Sequence, residues 1–302
     1  MDRTVGFIGL GNMGWNMASH LARSGYEVLG YDAKADTMER FANETGSRVP
    51  ALADLAEASL IWTMLPTGQV VREVLTGGGE RSLARSLRPG TLMIDTTSSP
   101  PELTRSLGAL LAEAGVSLMD AGVSGGHRGA IEGNLVFMVG CDDEALFERA
   151  QKPFSTMSRN IFRLGPLGSG HTMKSLNNFV SAACFSATCE AMILGERLGL
   201  DPAALTEVLK VSTGSNDAVT RTIPKILDGS FRKTFSLGLF TKDIRIAEEL
   251  AAGAGAAAPL VSLVHRRMAE ALAAYGPDVD HSFAFKHWRA GMSGTPPDNE
   301  AP

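Results

Sequence analysis

A short apolar run beginning at Thr4 ends in Gly9-Leu10-Gly11-Asn12-Met13-Gly14, and a helical pattern follows at once. This is G-x-G-x-x-G in the one context that gives it meaning, a strand in front and a helix behind. Glycines permit the tight turn and bring the free N–H groups of a helix start close to a pyrophosphate. The reading gains a second support in Asp32, which ends the next apolar run, EVLGY, 18 residues beyond Gly14. A carboxylate about 20 residues after the glycines is placed to accept hydrogen bonds from a ribose 2′-hydroxyl and to repel a 2′-phosphate. Gly9 to Gly14 with Asp32 are therefore expected to hold a dinucleotide, NAD in preference to NADP. Lys34, two residues on, keeps NADP open as the alternative.

The rest of the first half fits that start. TVGFIGL (4–10), EVLGY (27–31), SLIWTML (59–65), TLMID (91–95), VSLMD (116–120), LVFMVG (135–140) and NIFRL (160–164) read as strands, with segments between the first five long enough for crossover helices. Such alternation implies a mainly parallel sheet covered by helices. The segment DDEALFERAQKPF reads as a helix whose Asp142 and Asp143 suit its N-terminus. After Leu164 the strand signal stops. GPLGSG (165–170) leads into a long apolar pattern and then several segments with helical spacing, one opened by Asp201-Pro202. The expectation is an α/β Rossmann domain over 1–164, joined by a long helix to an all-α domain over 165–290. Residues 291–302 have no apolar pattern and are expected to form a frayed tail.

Composition narrows the function. The chain has 302 residues with 28 Lys+Arg against 33 Asp+Glu, a net charge of −5, which gives no support to nucleic acid or an anionic membrane as partner. Cys141, Cys184 and Cys189 form no C-x-x-C pair, favouring a reducing compartment over a zinc ribbon. Thr4–Leu10 carries no basic leader or cleavage site. The stretch 179–195 is interrupted by Ser181, Ser186, Thr188 and Glu190, so it is read as a buried helix and not a membrane span. A cytoplasmic protein with a small-molecule substrate is expected.

Gly122-Val123-Ser124-Gly125-Gly126 fits G-x-S-x-G, the nucleophile elbow of α/β-hydrolases. That motif needs a helix directly after the serine, whereas 127–134 reads as a loop with at most one helical turn, and the later histidines fall in the all-helical half. A hydrolase is set aside. The backbone N–H groups of Ser124, Gly125 and Gly126 suit a substrate carboxylate instead. His127 and Arg128 follow directly, and a solvated arginine is the preferred reading of the latter. In GSGHTMKSLNN (168–178), Lys174 and Asn178 lie i, i+4 on one helix face among apolar residues. A buried lysine is costly unless it is paired or neutral, and a neutral lysine is a base. His171 is read as structural or pocket-lining, and no metal is expected.

In order along the chain, GLGNMG (9–14), MLP (64–66), DAGVSGG (120–126), GSGHTMKSLNN (168–178), CEAMILGERLGLD (189–201) and FTKDIRIA (240–247) resemble the β-hydroxyacid dehydrogenase family. The resemblance runs to about Trp288. It implies that Lys174 is the catalytic lysine, that Asn178 is its amide partner and that Ser124, Gly125 and Gly126 form the substrate-carboxylate loop. It further implies that Lys242 lies near substrate and nicotinamide, that Leu65, Pro66 and Ser98 line the cofactor and that Asp243 orients the final helices. The implied activity is hydride transfer between nicotinamide and a short-chain 3-hydroxy acid or its semialdehyde. Imine reduction and non-catalytic cofactor binding are the alternatives, and a homodimer or homotetramer is the implied assembly. Where the family usually has proline, this chain has Gly122, which is expected to loosen the entry to the carboxylate loop.

Overall fold

Residues 3–77 and 82–293 are described by a computed structural model of the chain. By the packing of its backbone the chain divides into two compact units, Met1–Lys174 and Ser175–Pro302.

In the first unit, strands β1 (Thr4–Ile8), β2 (Glu27–Tyr31), β3 (Leu60–Thr63), β4 (Leu92–Asp95), β5 (Ser117–Ser124), β6 (Val136–Gly140) and β7 (Asn160–Gly165) form one sheet in the order 2-1-3-4-5-6-7. Pairing is parallel except between β5 and β6. β3 and β4 are buried at every position, as the unbroken apolar runs require of strands covered on both faces. Helices α1 (Gly14–Arg23), α2 (Ala35–Thr45), α3 (Gly68–Thr76), α4 (Leu83–Ser86) and α5 (Pro101–Ala112) connect the parallel strands. One face of the sheet is centred on Trp62, whose ring lies 5.0 Å from that of Phe154 and 6.0 Å from that of Phe137.

Two short helices refine the sequence reading. α7 (Glu144–Ser155) starts as expected, with the Asp143 carboxylate accepting the Ala145 N–H at 2.7 Å. The segment expected to hold at most one turn is instead α6 (Gly126–Glu132), seven residues entered through Gly125 at φ 121° and left through Gly133 at φ 65°. It shows no apolar periodicity because it buries only Gly129 and Ala130.

The second unit is helical. α8 (Ser169–Arg197) begins in the first unit and runs 29 residues, followed by α9 (Pro202–Val211), a π-turn at Ala218–Thr222, α10 (Ile223–Leu227), α11 (Leu237–Gly253), α12 (Pro259–Tyr275) and α13 (Phe283–Ser293). Asp201 caps α9 through the Ala204 N–H at 2.9 Å. Gly291–Ser293 close α13, and the rest of the expected tail, 294–302, lies outside the described residues. Asp280, wholly buried, takes the Lys225 ammonium at 2.7 Å and the N–H groups of Thr234, Phe235 and Ser282. Burial holds the neighbouring His281 down to a pKa of about 4, so its ring is neutral and structural.

One expectation about α8 is corrected. It was read as a buried helix, but only one face is covered. Ala182, Phe185, Cys189, Met192 and Ile193 enter the core, while Leu176, Val180 and Leu194 on the opposite side are exposed.

Candidate active site

Four loops emerge at the C-terminal ends of β1 to β4, the edge where open parallel sheets bind ligands. Gly9–Gly14 follows β1, Asp32 follows β2, Leu65 and Pro66 follow β3, and Ser98 follows β4. Leu65 is half-buried and Pro66 exposed, and Ser98 is half-buried. A buried relay fixes the third loop. Asp95 accepts from the Thr63 hydroxyl at 2.8 Å and the Thr97 N–H at 3.0 Å, and the Thr97 hydroxyl accepts the Leu65 N–H at 3.0 Å.

The glycines of the first loop have different reasons to be glycine. At Gly9, φ is 98° and a Cβ would lie 2.3 Å from the Met64 carbonyl oxygen. At Gly14 a Cβ would lie 1.8 Å from the Gly9 carbonyl oxygen, so the turn itself requires both. At Gly11 a Cβ would meet no protein atom within 4 Å, and φ is not in the left-handed region. Space at Gly11 is thus left for something outside the chain. No side chain caps α1, and its first turn holds no acidic residue. Leu10 is buried, Asn12 exposed and Met13 half-buried. This open, uncapped helix start fits the pyrophosphate of a dinucleotide. Beside it, Asp32 accepts the Leu10 N–H at 2.8 Å and the Lys34 N–H at 3.0 Å. Each carboxylate oxygen can accept a further bond from a ribose hydroxyl.

β5 runs parallel to β4, so Ser124 and the glycines after it emerge at the same edge. Gly125 and Gly126 both have positive φ, 121° and 61°, a backbone that glycine adopts far more readily than other residues. His20 of α1 holds α6 in place, its Nε2 lying 3.0 Å from the Ala130 carbonyl oxygen. Arg128 pairs with Glu132 one turn away at 2.7 Å.

The start of α8 is carried along β5. Asp120, wholly buried, accepts the Gly168 N–H at 2.6 Å and the His171 N–H at 2.7 Å, which makes it an internal anion at the helix N-terminus. Burial pushes its carboxyl up from the usual range, against the pull of His171 and the two N–H groups. His171 is buried with Nδ1 2.7 Å from the Thr104 hydroxyl and Nε2 3.2 Å from the Asp95 carbonyl, a structural role. Lys174 is half-buried, not fully buried as its surroundings in sequence suggested.

Gly122 corrects another expectation. It does not loosen the loop. It lies inside β5, opposite Met138, and a Cβ there would stand 2.6 Å from Lys174 Cβ and 2.8 Å from the Gly170 carbonyl oxygen. The missing side chain lets the helix settle onto the strand, with Lys174 two strand residues short of Ser124, about 7 Å along β5.

In the second unit, Asn178 is buried and its Nδ2 donates to Asp243 Oδ2 at 2.6 Å. Lys242 is mostly buried and its ammonium stands 3.2 Å from Asp243 Oδ1, an ion-pair contact. Asp243 therefore orients the Asn178 amide. Sequence reasoning missed Asp120 as an anchor, whose signal was an acid in the middle of a buried strand. The strand-to-helix turn that the sequence reading denied to G-V-S-G-G is present, between the end of β5 and the start of α6.

Residues 4–165 fit the family model described as the NAD binding domain of 6-phosphogluconate dehydrogenase. Residues 168–288 fit the one described as NAD-binding of NADP-dependent 3-hydroxyisobutyrate dehydrogenase. Mitochondrial 3-hydroxyisobutyrate dehydrogenase of Homo sapiens is 36% identical over 272 residues, 87% of this chain and 80% of the relative. The NAD-dependent L-serine dehydrogenase of Pseudomonas aeruginosa is 34% identical over 86% of this chain and 89% of its own length. The structure of Mycobacterium tuberculosis 3-hydroxyisobutyrate dehydrogenase with L-serine superposes with a TM-score of 0.84 at 34% identity, covering 96% of this chain and all of that one. The open glycine loop at the sheet edge is thus that of an NAD-binding domain, and the chain belongs to the β-hydroxyacid dehydrogenase family of oxidoreductases.

Proposed function

We propose that this chain interconverts a short 3-hydroxy acid and its semialdehyde, with NAD as the preferred cofactor and Lys174 as general acid and base. The observation that carries the reading is the seat of Lys174 on Gly122, which brings the lysine alongside the strand that ends in Ser124, Gly125 and Gly126. Relatives named for 3-hydroxyisobutyrate and for L-serine narrow the substrate class. Both molecules are primary alcohols with a carboxylate two carbons from the hydroxyl carbon and a small group between.

A bound dinucleotide would supply the hydride acceptor for oxidation and the hydride donor for reduction. Lys174, neutral, accepts the hydroxyl proton at Nζ in oxidation and gives one back in reduction. Asn178, one helical turn beyond Lys174 and with its amide held by Asp243, serves as hydrogen-bond donor to the developing alkoxide. Ser124 and the N–H groups of Gly125 and Gly126 hold the carboxylate, and orientation follows from fixing that end. Lys242 adds positive charge for the anionic substrate. Gly9 to Gly14, Leu65, Pro66 and Ser98 seat the dinucleotide, and Asp32 takes its ribose hydroxyls. The working form is an assembly of two or four copies.

The test is NAD and NADP reduction with a panel of three- and four-carbon 3-hydroxy acids, on the wild type and Lys174→Ala. Turnover with NAD that falls by about 10²–10⁴-fold in the variant, with cofactor binding intact, is the expected result. Reduced cofactor consumed only with a cyclic imine, or activity indifferent to Lys174, would overturn the assignment.

A further inference from the structure

The ring of His171 is wholly buried, and both of its nitrogens end on the segment that leaves β4 at Asp95, passes through Ser98 and enters α5 at Pro101. At the start of this segment, Nε2 lies 3.2 Å from the Asp95 carbonyl oxygen. A carbonyl only accepts, so Nε2 carries a proton and donates it there. Beyond Ser98, Nδ1 meets the hydroxyl of Thr104 on α5 at 2.7 Å. The imidazole therefore spans the loop that carries Ser98. Asp95 is also the fixed point of the loop after β3. Its carboxylate accepts from the Thr63 hydroxyl and the Thr97 N–H, and the Thr97 hydroxyl accepts the Leu65 N–H. The loops of Leu65, Pro66 and Ser98 are thus both referred to one ring.

The other end of the connection is Lys174. The backbone N–H of His171 is fixed on Asp120 at 2.7 Å, and Lys174 follows three residues later on the same side of the helix. A Cβ on Gly168 would stand 3.3 Å from Pro101 Cβ, so the start of α8 also packs on the start of α5. Filling the space at 171 needs only an apolar side chain. Holding Asp95 and Thr104 at once needs two polar atoms at a fixed separation, and an imidazole has them with no rotatable bond between. Its rigidity passes the position of the loops to the helix turn that bears the lysine. A displacement of about 1 Å between reacting groups costs on the order of 10²-fold in rate, so such a connection has kinetic weight.

We propose that His171 is a positioning residue for hydride transfer, holding the loops after β3 and β4 at a set distance from Lys174 through its bonds to Asp95 and Thr104. The proposal rests on the role given to Lys174 in the proposed function, because His171 acts through that lysine.

The experiment uses the full chain, NAD and the best substrate of the hydroxy-acid panel. His171→Leu fills the space and makes neither hydrogen bond. Its kcat is expected to fall by about 10–10²-fold. Its NAD dissociation constant, from calorimetry, is expected to stay within about threefold. His171→Gln, whose amide can donate to the Asp95 carbonyl, is expected to recover most of the loss. The same substitution is then made without the lysine. In Lys174→Ala, adding His171→Leu should lower the residual kcat by less than about twofold, because a residue that acts through Lys174 has nothing left to position. Thr104→Val removes one hydroxyl from the same connection and carries the same comparison if His171→Leu does not fold. It is expected to lower kcat only where Lys174 is present. An unchanged kcat, a loss confined to NAD affinity, a glutamine no better than leucine, or an equal fractional loss with and without Lys174 would each overturn the positioning role and leave the function standing. Turnover indifferent to Lys174→Ala would overturn the function and the proposal with it.

Discussion

Two glycine-rich helix starts in the first unit, those of α1 and α8, have opposite fates. α1 starts at Gly9–Gly14 with no side-chain cap and with empty space where a Cβ of Gly11 would be. α8 starts at Gly168–Gly170 with the carboxylate of Asp120 already on its N–H groups, and a Cβ on Gly170 would lie 2.1 Å from the Met138 carbonyl oxygen. A helix N-terminus attracts an anion in both cases. In α8 the anion is part of the protein and the glycines serve packing. In α1 the anion has to come from outside. A glycine-rich helix start is therefore a binding site only when nothing in the chain fills it.

The largest expected effects come from the filled start. Asp120→Ala leaves two buried N–H donors without an acceptor, at about 1–3 kcal/mol each, so the urea midpoint should fall by the equivalent of at least about 2 kcal/mol. Gly170→Ala drives a methyl group into backbone and should cost about as much. If either variant unfolds like the wild type, the α8 start is not anchored as described.

A different readout separates the open start. Gly11→Ala meets no protein atom, so its unfolding midpoint should stay within about 0.5 kcal/mol of the wild type. Its NAD affinity, measured by calorimetry, should fall about tenfold or more, some 1.4 kcal/mol, because the methyl group takes the space of the pyrophosphate. Loss of stability without loss of affinity would erase the distinction between the two starts.

Much of this was legible in the sequence, and the physical reasons are local. Strands such as β3 and β4, covered on both faces, must be apolar throughout, and so they stand out. Asp143 and Asp201 announce helix starts because the carboxylate and the N–H it accepts are neighbours in sequence. The arrangement of Asp120 was hidden because its donors are 48 and 51 residues away. Gly122 was misread for the same reason, since what it accommodates is Lys174 on another element. α6 was missed because a helix that buries two small residues shows no periodicity. In α8 the apolar residues were plain, but composition alone does not say which half of a helix its own chain covers.

The smallest expected effect is also the most discriminating. Asp32 lies beside the open start as Asp120 lies under the filled one, and it too accepts two backbone N–H groups. Were it only a tie for the loop, Asp32→Asn would weaken NAD and NADP alike, since the amide keeps one acceptor oxygen and replaces the other with a donor facing an N–H. Were it a reader of the ribose, the same change removes the charge that repels a 2′-phosphate. The ratio of kcat/KM for NAD to that for NADP should then fall by about tenfold, while the unfolding midpoint moves by about 1 kcal/mol or less. Equal losses for both cofactors would make Asp32 a second Asp120, an acid spent on the fold, and cofactor choice would have to be sought in residues other than the one that ends β2.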